Sequence, residues 1–90
     1  MTQVELVPDL DHCIETAARL EYRRSVDEYL RQGGGGQELE AKIELLRQFL
    51  ETANFRELRR ESERYLEEGK KVKFIIRWHE GKLTYELKTL

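Results

Sequence analysis

Ninety residues suffice for one domain with a thin core and are too few to divide that core in two. With 39% hydrophobic and 38% charged residues, one proline and a net charge of −2, the chain is too apolar for disorder and too polar for a membrane protein. A single cysteine, Cys13, rules out an internal disulfide and a thiolate cluster for zinc or iron and sulfur. No apolar run approaches the roughly 18 residues of a membrane span, and "MTQVELVPDLDH" lacks the basic start and apolar centre of a signal peptide, so a soluble cytoplasmic protein is expected.

Residues 2–7, "TQVELV", alternate Val4 and Leu6 with polar neighbours until Pro8 intervenes, which predicts a short strand. From Asp9 the period changes. Leu10, Ile14, Ala17, Ala18, Tyr22, Val26, Tyr29 and Leu30 recur at steps of three and four, predicting a helix over about 9–32 with Asp9 as its N-cap. Cys13 and Leu20 lie beside that stripe and widen the apolar arc at the helix start, which suggests two neighbours for it.

Four glycines, 33–36, follow. A phosphate-binding loop needs a strand before the glycines and a Lys with Ser or Thr closing them; here a helix precedes and "GGGGQELE" brings Glu38 and Glu40, which would repel a phosphate. The run is expected to end one helix and join it to the next, with serine tolerated at Gly34 and Gly35. Leu39, Ile43, Leu46, Leu50 and Ala53, flanked by Leu45 and Phe49, predict a second helix over about 37–53. Asn54, with Glu57 three positions on, has the spacing of a capping box for a third helix over about 55–68, or for a continuation of the second beyond a kink, and Gly69 supplies its end.

The remainder has period two. Val72, Phe74, Ile76 and Trp78 lead to the turn residues Glu80 and Gly81, and Leu83, Tyr85 and Leu87 return on the same face. This is a β-hairpin over about 71–79 and 82–89. A two-residue loop sets Trp78 opposite Leu83, Ile76 opposite Tyr85 and Phe74 opposite Leu87, with all these apolar side chains expected in the core. The predicted fold is α+β: a single domain with a three-helix layer packed on a small antiparallel sheet, the N-terminal segment being a candidate third strand.

No catalytic constellation stands out. "DLDHC" at 9–13 offers carboxylates, an imidazole and a thiol within one turn, but Asp9 and Asp11 suit a helix start and Cys13 suits a small buried position, so no metal or cofactor is expected. His79 sits alone beside the hairpin turn. "RELRR" at 56–60 is neutralised by glutamates at helical spacing. Charge is uneven, however: residues 70–90 hold six basic against two acidic residues, a balance of +4, while residues 1–69 carry −6. Lys71, Lys73, Arg77 and Lys88 fall on the polar face or edge of the hairpin, where they could meet phosphates or an acidic protein surface.

The chain is therefore expected to be a small non-catalytic interaction or structural protein, a homodimer with room for a further protein partner. Helix packing through Cys13, Ala17 and Leu20 is the expected dimer contact, because lysines crowd the strands. The alternative is a nucleic-acid-binding module: three helices followed by a hairpin is the element order of a winged helix, and the basic hairpin would be its wing. Long first and second helices, a wing with almost no loop, and a third helix with as much acid as base speak against it.

Overall fold

The computed structural model describes residues 3–34 and 36–89. Thr2 of the expected first strand and Gly35 of the glycine run lie outside them. The order of elements is β1 (Gln3–Leu6), α1 (Ile14–Arg31), α2 (Gln37–Thr52), α3 (Phe55–Glu67), β2 (Val72–His79) and β3 (Lys82–Thr89). The strands form one antiparallel sheet in the order β1-β2-β3, with the hairpin at its C-terminal side, and the helices cover one face.

The candidate N-terminal strand is thus part of the sheet. Val4 lies opposite Ile76 and Leu6 opposite Phe74, and all four side chains are buried. The hairpin has the register expected from a two-residue turn, His79 opposite Lys82 through Phe74 opposite Leu87. Its turn puts both Glu80 (φ 51°) and Gly81 (φ 77°) in the left-handed region, the type I′ pattern whose twist matches the strands it joins.

α1 begins later than its periodicity predicts. Asp9 does not cap it: Asp9 Oδ1 accepts from the backbone N–H groups of Asp11 (2.8 Å) and His12 (2.6 Å), and the Asp9 N–H donates to the His12 carbonyl (2.9 Å). The result is a separate turn before the helix, which leaves Leu10 70% exposed and Cys13 at the N-cap. The buried positions of α1 are Ile14, Ala18 and Ser25. Ser25 is accommodated because its hydroxyl donates to the Glu21 carbonyl, 2.8 Å away, so its burial leaves that group paired. Tyr22, Val26 and Tyr29 are half-buried, and Leu30 turns outward.

The helix ends are built by backbone geometry. At α1, Gly34 N–H bonds the Tyr29 carbonyl and Gly33 N–H the Leu30 carbonyl, with Gly33 at φ 75°; at α3, Lys70 and Gly69 repeat the arrangement on Tyr65 and Leu66, with Gly69 at φ 79°. Both are Schellman ends, in which a left-handed residue lets the last carbonyls be satisfied. Gly34 is also left-handed, and a side chain there would begin 3.4 Å from the Tyr29 hydroxyl, so serine is strained at this position. α3 is a separate helix: Ala53 is extended (ψ 141°), and Asn54 Oδ1 accepts from Glu57 N–H at 3.4 Å.

α2 is the centre of the helical layer, touching α1 and all three strands. Its deepest residues are consequently Leu45, Leu46 and Phe49, and the Leu39–Ile43–Leu50 side is only half-buried. Phe49 meets Phe55 edge-on, with ring centroids 5.4 Å apart, and Tyr85 at 6.3 Å. Leu45, Leu46 and Phe49 form one continuous core with Val4, Leu6, Ile14, Ala18, Leu58, Val72, Phe74 and Ile76.

Candidate interaction surfaces

Both expected contact sets are placed by the sheet and α1. On the hairpin, Lys73 and Arg77 project from β2 to the face away from the helices, with Lys88 opposite Lys73 on β3. The sequence balance of +4 is not presented as a bare basic face, because β1 and β3 bring carboxylates to it. Lys73 Nζ lies 3.0 Å from Glu5 of β1, and an Arg77 guanidinium nitrogen lies 3.2 Å from Glu86 of β3. Lys71, Lys82 and Lys88 have no ion-pair partner among the described residues.

These two ion pairs flank Ile75, the apolar exception on the open face. Ile75 stands between Glu5 and Glu86 in register and between Lys73 and Arg77 along its own strand. It is only 7% exposed. The aliphatic stems of the four charged residues shield it while their heads stay in water.

Cys13, Ala17 and Leu20 border different depressions of the surface. Ala17 and Leu20 line a shallow depression of about 330 Å³ with Val7 and His12, beside the link from β1 to α1. Cys13 instead borders a crevice of about 210 Å³ against Phe55, Arg56 and Arg59 of α3. Leu20 is 41% exposed and also reaches an open groove of about 670 Å³ that holds Tyr22, Val26 and Leu50.

Partial burial tends to raise the Cys13 pKa. That effect is outweighed by the Thr16 hydroxyl 3.4 Å from Sγ, by the backbone N–H groups of Thr16 and Glu15, and by the charge of Arg59, so the thiol titrates below its ordinary value. Arg59 itself is held above the usual range by its hydrogen bond to Glu63 at 3.0 Å. The neighbouring His12 imidazole turns to Asp9, its Nδ1 3.4 Å from the carboxylate, and is not set as a base against the thiol. Among the described residues no group of three His, Cys, Asp or Glu is placed to hold a metal ion, and no helix is long and apolar enough to cross a membrane.

A third surface is not visible in the residue pattern. On the helix side of the hairpin, Val72, Phe74 and Ile76 of the central strand are buried, but Trp78, Leu83 and Leu87 are half-covered and Tyr85 remains 47% exposed. Trp78 therefore packs against the core only at its margin, and Tyr85 is not a core residue. β3 is an outer strand and Trp78 lies near the turn, so the helices cover the middle of the sheet fully and this apolar margin only in part.

Residues 3–85 match the model of an uncharacterised protein family, and the chain belongs to that family. No curated protein and no solved structure matches it.

Proposed function

We propose that the chain is a small non-catalytic interaction or structural protein that works in the cytoplasm as a homodimer, with room for a further protein partner. The observation that carries this reading is the apolar margin of the sheet: Leu83, Tyr85 and Leu87 lie on the helix side of an outer strand, yet the chain's own helices only half-cover the two leucines and leave Tyr85 47% exposed. Half-exposed Tyr and Leu along an open strand edge are the composition of a contact surface. The charged side chains support the same reading, since they pair along the helix surfaces, Arg47 with Glu44 and Glu51, and Arg59 with Glu63, and do not converge in a cleft.

The nucleic-acid alternative keeps the winged-helix element order in its favour, with Lys71, Lys73, Arg77 and Lys88 as its contacts. It has less support, because a phosphate would have to displace Glu5 from Lys73 and Glu86 from Arg77.

Light scattering tests the first reading. A mass near twice 10.8 kDa at about 100 μM is expected, and a mass near 10.8 kDa would overturn it. Electrophoretic retardation of mixed DNA and RNA at low salt tests the second, since phosphate binding is strongest there.

A further inference from the structure

Among the described residues β3 is paired on one side only. In a hairpin closed by two residues, the pair flanking the turn exchanges both of its hydrogen bonds, and such pairs then alternate with non-bonded ones. His79 and Lys82 flank the turn, so Lys82, Thr84, Glu86 and Lys88 turn their backbone groups inward to β2. The N–H and C=O groups of Leu83, Tyr85 and Leu87 point outward along the open edge.

On the dimeric reading above, we infer that this edge binds a second copy of the chain, antiparallel, with Thr84 opposite the partner's Thr84, so that two three-stranded sheets join into one. A two-fold axis must set outward-facing residues opposite each other, which places the axis through a residue and not between two. Charge then selects among the registers. Centring on Leu83 opposes Glu80 to the partner's Glu86, centring on Tyr85 opposes Lys82 to the partner's Lys88, and centring on Glu86 sets that residue against the partner's Glu86. Centring on Leu87 pairs opposite charges but overlaps only the end of the strand and leaves Leu83 uncovered.

Centring on Thr84 meets every requirement. Lys82 faces the partner's Glu86 and Glu80 faces the partner's Lys88, each twice by symmetry, while Leu83 faces the partner's Tyr85 on the helix side. Glu86 is already held on this face by Arg77 at 3.2 Å. The axis runs perpendicular to the sheet, so both helical layers lie on the same side and Tyr85 falls in the furrow between them. Lysines on an edge strand normally discourage pairing. Here Lys82 and Lys88 discourage the like-charge registers and each gains a carboxylate in this one.

The test uses the full chain. Lys82→Glu and Glu86→Lys each set like charges face to face, so each variant alone should scatter as a folded monomer; Lys82→Glu leaves the Arg77–Glu86 pair intact. Mixed in equal amounts, the two should recover a dimer of mixed composition, because each supplies the charge that the other needs. In a Cys13→Ser background, Thr84→Cys should cross-link to its partner on mild oxidation, since opposed non-bonded residues lie about 4.5 Å apart at Cα, within a disulfide's span. A dimer that survives both charge variants and yields no Thr84→Cys cross-link overturns the edge and leaves the dimeric reading standing. A monomeric wild type overturns both.

Discussion

Replacing Phe49 tests how the helical layer is held to the sheet. Its side chain is fully buried and its ring meets Phe55 of α3 at 5.4 Å and Tyr85 of β3 at 6.3 Å, so one residue of α2 touches two other elements. Phe49→Ala should cost about 3–5 kcal/mol, against a total of about 5–13 kcal/mol for a chain of this length. Phe49→Leu keeps most of the apolar volume and loses the two edge-on contacts, each worth about 0.5–1.5 kcal/mol, with the longer Tyr85 contact at the lower end. A loss of about 1–2 kcal/mol is therefore expected. Urea unfolding at one fixed protein concentration measures both, because a dimer's midpoint depends on concentration. A double-mutant cycle with Phe55→Leu should return a coupling of about 0.5–1.5 kcal/mol. A Phe49→Ala cost below about 1.5 kcal/mol, or a coupling of zero, would refute this account of the core.

Trp78 is half-buried, so its emission maximum should lie between the buried and aqueous limits, and Trp78→Ala should cost less than about 3 kcal/mol; a larger loss would mean that the helices extend over the hairpin tip. Gly33→Ala meets no neighbouring atom but forces alanine to φ 75°, which should lower stability by about 1–2 kcal/mol and the melting temperature by about 4–15 °C. An unchanged melting temperature would show that the Schellman end of α1 is dispensable. Cys13 alkylation by iodoacetamide should have its pH midpoint below that of the urea-unfolded chain, and Thr16→Val should move it upward. Since the folded pKa is the lower one, thiolate-linked stability is fully present above the unfolded pKa and is lost as pH falls through the folded pKa; Cys13→Ser should remove that slope, and a slope of opposite sign would contradict it.

The hairpin register was legible from residues alone because a two-residue turn leaves no freedom in which side chains oppose each other. The ends at Gly69 and Asn54 were legible for a similar reason, each being a local hydrogen-bond pattern complete within a few residues. Asp9 misleads because a carboxylate that caps a helix and one that closes a tight turn accept from the same kind of backbone N–H. Ser25 is invisible to a hydrophobicity pattern, since the bond to the Glu21 carbonyl that permits its burial lies within the helix. The expected basic face required knowing that Glu5 would arrive beside Lys73, which only the pairing of β1 with β2 determines. Tyr85 shows the same limit: alternation marks which side a residue faces and not whether a helix reaches over it.

The position of β1 has a consequence for the order of events in time. Hairpin closure joins residues adjacent in sequence and proceeds in about 1–10 μs, whereas Leu6 can meet Phe74 only after the chain between them has folded back on itself. Gln3–Leu6 is thus expected to join the sheet after the hairpin and, with four described residues paired, to leave it first. Each departure strips Glu5 from Lys73, wets Ile75 from the open face and frees the outer backbone groups of β2. For those intervals the central strand becomes an edge, on the opposite side of the sheet from β3.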